Sequence, residues 1–266
     1  MAEGDSLVRS ARKLRPVIDG RVILSASAPN LRSSLRTHAA RLEGRRVESV
    51  ETRGKHLLIH LDDGLSLHSH LGMNGGWRVD TGRGFGKPER NAWLLLEAEG
   101  ADRPGTRGRV AQFGGTTLRL VRTVELARDT RLASLGPDIL AANFDLEAAA
   151  VRLRSSPDQI GVALLDQKLV CGIGNIFKSE ACFEAGIDPW RPAASLSRSP
   201  DGSDEAVRLL GIARRQMLDA VETGRRPGRI YKQTGRPCRM CRRSRVRSRG
   251  QGDDNRTTYW CPNCQR

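Results

Sequence analysis

Two CxxC pairs near the carboxyl end, Cys238-Arg-Met-Cys241 and Cys261-Pro-Asn-Cys264, constrain this chain more than any other feature. Each pair lets two thiolates reach one ion from a tight knuckle, and the nineteen residues between them, 242–260, give the spacing of a zinc ribbon. Four thiolates close a tetrahedral site and leave no position open for substrate, so the expected Zn2+ is structural. A tail of this size cannot bury much of a core, and metal binding is expected to form part of its folding free energy. The spacer RRSRVRSRGQGDDNRTTYW carries Arg242, Arg243, Arg245, Arg247, Arg249 and Arg256 around a glycine turn. A run of charges is ordinarily a solvated face. Mounted on a metal-held hairpin, it is placed to meet phosphates or a groove.

The remaining composition points the same way. Lys and Arg number 45 against 30 Asp and Glu in 266 residues, a formal charge of +15 that draws polyanions to the surface. Nucleic acid is the leading partner class. No stretch approaches the roughly twenty apolar residues of a spanning helix, which sets membrane aside. Glu3, Asp5, Arg9, Arg12, Lys13 and Arg15 interrupt any signal-peptide run, so a cytoplasmic, nucleoid-associated protein is expected. Six cysteines in a reducing compartment argue for metal rather than a disulfide framework. Cys171 and Cys182 have no CxxC partner and read as small buried apolar residues, as do Met217 and Phe183.

Along the chain, Leu7, Ala11, Leu14 and Ile18 recur at helical spacing behind Asp5 as a cap, with Gly20 to end the helix. Alternating runs follow at RVILSAS, RVESVET, HLLIHL, LSLHSHL, AWLLLEAE and TTLRLVRT and predict strands. The Gly-, Pro- and Arg-rich stretches DTGRGFGKPER and GADRPGTRGR read as exposed mobile loops rather than core. After LGPD the pattern turns helical: FDLEAAAVRL, then SSPDQIGVALLDQ with Ser156 and Gln159 as a capping box and Pro157 at the first helical position. IFKSEACFEA forms a short helix ending at Gly186, and a longer one runs from about Asp204 to Thr223. The expected class is α+β, with an N-terminal helix and β-sandwich lobe over 1–130, a helical lobe over 131–228 and a zinc-ribbon hairpin over 229–266.

Between the two helices of the second lobe, CGIGN exposes backbone N–H groups where the second helix begins, which is an anion site by construction. Asn175 can cap that helix or donate to a phosphate.

Several separated motifs together resemble the formamidopyrimidine-DNA glycosylase and endonuclease VIII family of DNA repair enzymes. The start resembles the family's M-P-E-G-D opening, RGKHLLIH its lysine-bearing strand, LLDQKLVCGIGNIFKSE its helix-two-turns-helix, and RTTYWCPNCQR its zinc-finger ending. The stretch HSHLGMNGGWRV is closer to the endonuclease VIII branch. The resemblance implies removal of Met1 and attack by the new α-amine of Ala2 on C1′ of the damaged nucleotide, forming a Schiff base. An α-amine has a reference pKa of about 7.7–8.0, so a useful fraction is an unprotonated nucleophile near neutrality. Glu3 would be the general acid and base. Lys55 would contact the phosphate or damaged nucleotide, Asn175 and Arg256 would hold phosphates beside the lesion, and Met73 would fill the gap left by the flipped base.

Where the family usually has proline, this chain has Ala2, a primary rather than a secondary amine. That implies a lyase step weakened more than base excision, which Glu3-assisted water attack could sustain. The expected protein is thus a monomeric DNA glycosylase, acting on oxidised bases, pyrimidines favoured, in double-stranded DNA, with AP lyase activity. The alternative is a catalytically silent protein that binds abasic or damaged DNA, which Ala2 favours. A zinc-ribbon RNA-binding protein would explain the tail and the charge but leaves AEGD and GIGN without a role.

Overall fold

The computed structural model describes residues 2–100, 105–198 and 203–266, and the chain divides into two compact units, residues 1–133 and 134–266. Part of the predicted GADRPGTRGR loop, 101–104, and Met1 lie outside the described residues.

In the first unit, helix α1 (Gly4–Ile18) buries Leu7, Ala11, Leu14 and Ile18, the predicted stripe. It starts earlier than an Asp5 cap would set. The N-cap is Glu3, whose N–H donates to Ser6 Oγ at 3.0 Å while that hydroxyl donates back to the Glu3 carbonyl at 2.8 Å. Ser6 therefore fixes the first turn, and Asp5 is buried inside it, paired with Arg9 at 3.1 Å.

Strands β1 (Ile23–Ser27), β2 (Val47–Arg53), β3 (His56–Leu61), β4 (Leu65–His70), β5 (Gly76–Val79), β6 (Leu94–Glu99), β7 (Arg107–Phe113) and β8 (Thr117–Arg122) form two antiparallel sheets, ordered β1-β6-β7-β5 and β2-β3-β4-β8. Their inward residues and α1 share one core, which includes Leu14, Ile23, Ile59, Leu67, Leu96 and Val110.

Two of these strands are absent from the sequence reading, and one of them overturns a loop. Arg107-Gly108-Arg109 has a loop's composition but is the start of β7, held between β6 and β5. Gly108 is there because α1 crosses closely: a Cβ would lie 2.5 Å from Val17 Cγ1. The stretch 80–90 is likewise pinned rather than mobile. The Asp80 carboxylate accepts from the N–H groups of Gly82 and Gly84, both at 2.8 Å. Arg109 ties together Asp80, Glu89 and Glu97. Phe85 is buried edge-on against Phe113, with ring centroids 6.0 Å apart. Composition hid an aromatic anchor inside a glycine-rich stretch. Short helices α2 (Thr123–Arg128) and α3 (Thr130–Ala133) end the unit.

The second unit contains α4 (Leu146–Arg154), α5 (Ile160–Ala163), α6 (Asn175–Ala185), α7 (Glu205–Thr223) and the hairpin β9 (Arg247–Gln251) with β10 (Arg256–Trp260). Asp145 caps α4, Asp204 caps α7, and Gly186 ends α6 with φ at 69°. The predicted Ser156 cap does not form a helix start. Residues 158–160 instead bond to residues 191–193, so the backbone is extended there and α5 begins only at Ile160. Cys171, Cys182, Phe183 and Met217 are buried as expected. The buried Glu180 carboxylate accepts the N–H groups of Arg229, Ile230 and Tyr231 at 2.8–3.0 Å, fastening the strap after α7 to α6. The last residues dock there too, through pairing of Arg266 with Gly186 and Asp188.

Candidate active site and metal centre

The first turn of α1 and the loop after β4 meet at the amino end. Ala2 N donates to the Gly72 carbonyl at 3.1 Å, and Glu3 follows it as a fully buried N-cap residue. Partial positive charge at a helix N-terminus favours a carboxylate in that position. Met73, next to the carbonyl that holds Ala2, is 61% exposed and projects with Asn74 from the turn. That turn has little freedom. A Cβ on Gly75 would lie 2.4 Å from the Leu71 carbonyl and 2.8 Å from Gly115 Cα, so two glycine turns pack backbone on backbone beneath Met73.

Lys55 occupies the tight turn between β2 and β3, where Gly54 has φ of 58°. The structure adds a group of histidines beside it that the sequence reading did not single out. His56 and His70 are register partners on β3 and β4, and His68 is on the same face of β4. Ring centroids of His56 lie 4.9 Å from those of both His68 and His70. His56 Nδ1 is 2.7 Å from His68 Nε2, Arg119 Nε donates to His68 Nδ1 at 3.1 Å, and Arg119 is paired in turn with Asp129. His70 Nδ1 is 2.7 Å from Thr116 Oγ1, and that hydroxyl donates to the His70 carbonyl at 3.2 Å, so His70 Nδ1 carries the hydrogen between them. Thr116 also lies against Gly72, which links this face to the carbonyl holding Ala2. Burial, aided by the neighbouring imidazoles, lowers the His56 pKa to about 3; burial and then Arg119 lower His68 to about 4. His70 is lowered by burial and by the Lys55 charge. The signal was present in the alternation: His56, His68 and His70 fall on one face of a predicted hairpin.

In the second unit, Gln167 organises the CGIGN turn. Its amide donates to the carbonyls of Leu165 and Ile173 and its Oε1 accepts from Gly172 N at 3.0 Å. Gly174, not Asn175, is the N-cap of α6. Asn175 is the first helical residue, nearly buried, and its amide donates to the Thr257 carbonyl on β10 at 2.7 Å, while its Oδ1 has no partner among the described residues. Asn175 and Arg256, the first residue of β10, are thereby brought to the same edge. Below them the buried Lys178 Nζ donates to Thr258 Oγ1 at 2.6 Å, and that hydroxyl donates to Gln251 Oε1 at 2.6 Å. Lys178 and Arg256 share a cavity of about 470 Å³ with Asp158 and Asp166.

Cys238, Cys241, Cys261 and Cys264 converge with all four Sγ atoms within 4.8 Å of one another. The Cys238–Cys264 and Cys241–Cys261 separations are 3.8 Å, the S···S distance of a tetrahedron with metal–sulfur bonds of about 2.3 Å. The donor set is therefore positioned to bind a metal ion. Phe183, Ile230 and Val246 pack beside the cysteines and join the knuckles to the rest of the unit.

Two family models match the chain. That of the formamidopyrimidine-DNA glycosylase N-terminal domain covers residues 1–131, and that of the formamidopyrimidine-DNA glycosylase H2TH domain covers 135–228. A probable endonuclease 8 2 of Streptomyces coelicolor is 38% identical over 280 residues, covering 100% of this chain and 94% of the relative. The DNA-(apurinic or apyrimidinic site) lyase Nei2 of Mycolicibacterium smegmatis is 32% identical, covering 100% of this chain and 99% of the relative. Among solved structures, MutM (Fpg) of Thermus thermophilus superposes with a TM-score of 0.76 at 30% identity, covering 99% of this chain and 98% of that one. The Lactococcus lactis Fpg complex with abasic-site DNA has the same fold, with a TM-score of 0.80 over 99% of both chains at 24% identity.

Proposed function

The chain belongs to the formamidopyrimidine-DNA glycosylase and endonuclease VIII family, and on that premise we propose that it is a DNA glycosylase with AP lyase activity in base excision repair. The observation that carries the reading is the hydrogen bond from Ala2 N to the Gly72 carbonyl beside the buried Glu3. With Met1 removed, that nitrogen is the α-amine. Gly72 then orients it, and its lone pair attacks C1′ of the extruded nucleotide while the damaged base leaves. Glu3 protonates the sugar ring oxygen and afterwards shuttles protons through elimination. Lys55 engages the lesion-strand phosphate, Met73 fills the vacated stack, and Asn175 and Arg256 hold flanking phosphates. One Asn175 amide hydrogen is donated to the Thr257 carbonyl, which leaves the second for a phosphate oxygen.

The four cysteines fit Zn2+, which when bound supplies folding energy to the 229–266 module and no chemistry at the lesion. Double-stranded damaged DNA, with oxidised pyrimidines favoured, is the proposed substrate, and a cytoplasmic, nucleoid-associated monomer is the proposed state. No helix among the described residues is long and apolar enough to cross a membrane.

Because Ala2 supplies a primary amine, its iminium can shed a proton to become a neutral imine, and we place the weakening in the lyase step rather than in base release. Intact mass should show the chain one methionine lighter. Incubation with an oxidised-pyrimidine duplex and borohydride should then trap a covalent adduct. Glu3→Gln should lose about 10²–10⁴-fold in base release while still binding the duplex. Ala2 also favours the alternative of a silent damage-binding protein; that reading holds if the wild-type protein binds the abasic duplex but releases no base.

A further inference from the structure

The histidine network beside Lys55 has an internal order that its geometry determines. A guanidinium has no acceptor, so His68 Nδ1, which receives Arg119 Nε at 3.1 Å, must be an unprotonated lone pair. The His68 hydrogen is then on Nε2, and it is donated to His56 Nδ1 at 2.7 Å. His56 Nδ1 is an acceptor in turn, so the His56 hydrogen is on Nε2. A second proton on either ring would set N–H against N–H. The charged groups around His56 agree. His68 and His70 on β4, Arg119 on β8 and Asp129 beyond α2 all act on it, and Asp129 alone favours a cation while already paired with Arg119. Among the described residues, His56 Nε2 has no hydrogen-bond partner, and the ring is only half-buried, on the residue that follows Lys55.

We propose that His56 is a further substrate contact: its Nε2–H donates an uncharged hydrogen bond to a phosphate oxygen of the strand engaged by Lys55, with His68 and Arg119 as positioning residues that impose this donor form. The inference rests on the proposed DNA-repair function and on the role of Lys55 in it. A neutral donor has a particular use here. It adds direction beside Lys55, whose charge attracts phosphate without orienting it. It also releases no counterion, so it leaves the salt dependence of binding unchanged.

The test uses the full metal-loaded chain and a duplex carrying a tetrahydrofuran abasic analogue, titrated over a range of salt. His56→Ala should weaken binding about tenfold, the order of one hydrogen bond to a charged group, with the slope of log K against log salt as in the wild type. His56→Gln, which keeps a donor, should recover most of the loss. Lys55→Ala should instead reduce the slope by about one. Nitrogen-detected imidazole NMR should place the His56 and His68 hydrogens on Nε2 from pH 8 to 5.5, and Arg119→Met should abolish that lock, so that the hydrogens redistribute between Nδ1 and Nε2. Wild-type affinity in His56→Ala, a slope change equal to that of Lys55→Ala, or an Nδ1–H tautomer in the wild type would each overturn the proposal. A wild-type protein that neither binds the duplex nor releases base would sink the repair function instead, an outcome visible before any variant is made.

Discussion

Buried histidines held neutral make the first unit acid-sensitive in a calculable direction. The ordinary histidine pKa is about 6.5, and in the folded chain burial brings His68 to about 4 and His56 to about 3. Below about pH 6.5 the unfolded chain takes up protons that the folded chain refuses. Stability is therefore full above that pH, falls as pH drops, and goes on falling until the folded rings titrate. Each histidine contributes a slope of up to about 1.4 kcal/mol per pH unit in that window. Thermal melts between pH 8 and 4.5 should show this decline, and His68→Gln should flatten it. Ala2, Glu3 and Lys55, the residues proposed for the chemistry, were singled out because each sits in a short motif that resembles the family's. The histidines were not, because a tautomer chain exists only when β3, β4 and β8 are in register.

Helix starts and turn packing divide along a similar line. Local chemistry placed α4, α6 and α7 nearly to the residue, since Asp145, Gly186 and Asp204 act within one turn of themselves. It failed at Ser156, where pairing with residues 191–193 competes for the same backbone, and at β7, whose glycine serves a close crossing by α1. The turns 71–76 and 113–116 cross as closely, beside the proposed site. Gly75→Ala should cost about 1–3 kcal/mol of stability through overpacking against Leu71 and Gly115. Because the same turn holds Ala2 and carries Met73, single-turnover base release should fall further than the melting temperature alone implies. Parallel melts and rapid-quench assays check this. Equal activity at equal stability would show that the turn has no role in placing the amine.

For the assembled chain, a charge of +15 and a terminal hairpin whose four cysteines are positioned for a metal ion predict binding that depends on both salt and metal. Stripping the metal with a chelator should expose amide hydrogens of residues 234–266 to exchange and weaken duplex binding, while residues 5–100 keep their protection. Restored protection on adding Zn2+ back would show that the loss is reversible. Composition, periodicity and motif spacing already carried the α+β order and the cysteine quartet, and the family resemblance carried the proposed amino-terminal nucleophile and its carboxylate, because those depend on residues close together or on chemistry few side chains offer. Folding settled the rest: the Gly72 carbonyl brought to Ala2 from seventy residues away, Phe85 drawn under a glycine loop, and two histidines ordered by one arginine. Such contacts join distant parts of the chain, and only the geometry of paired strands and crossing backbones selects them.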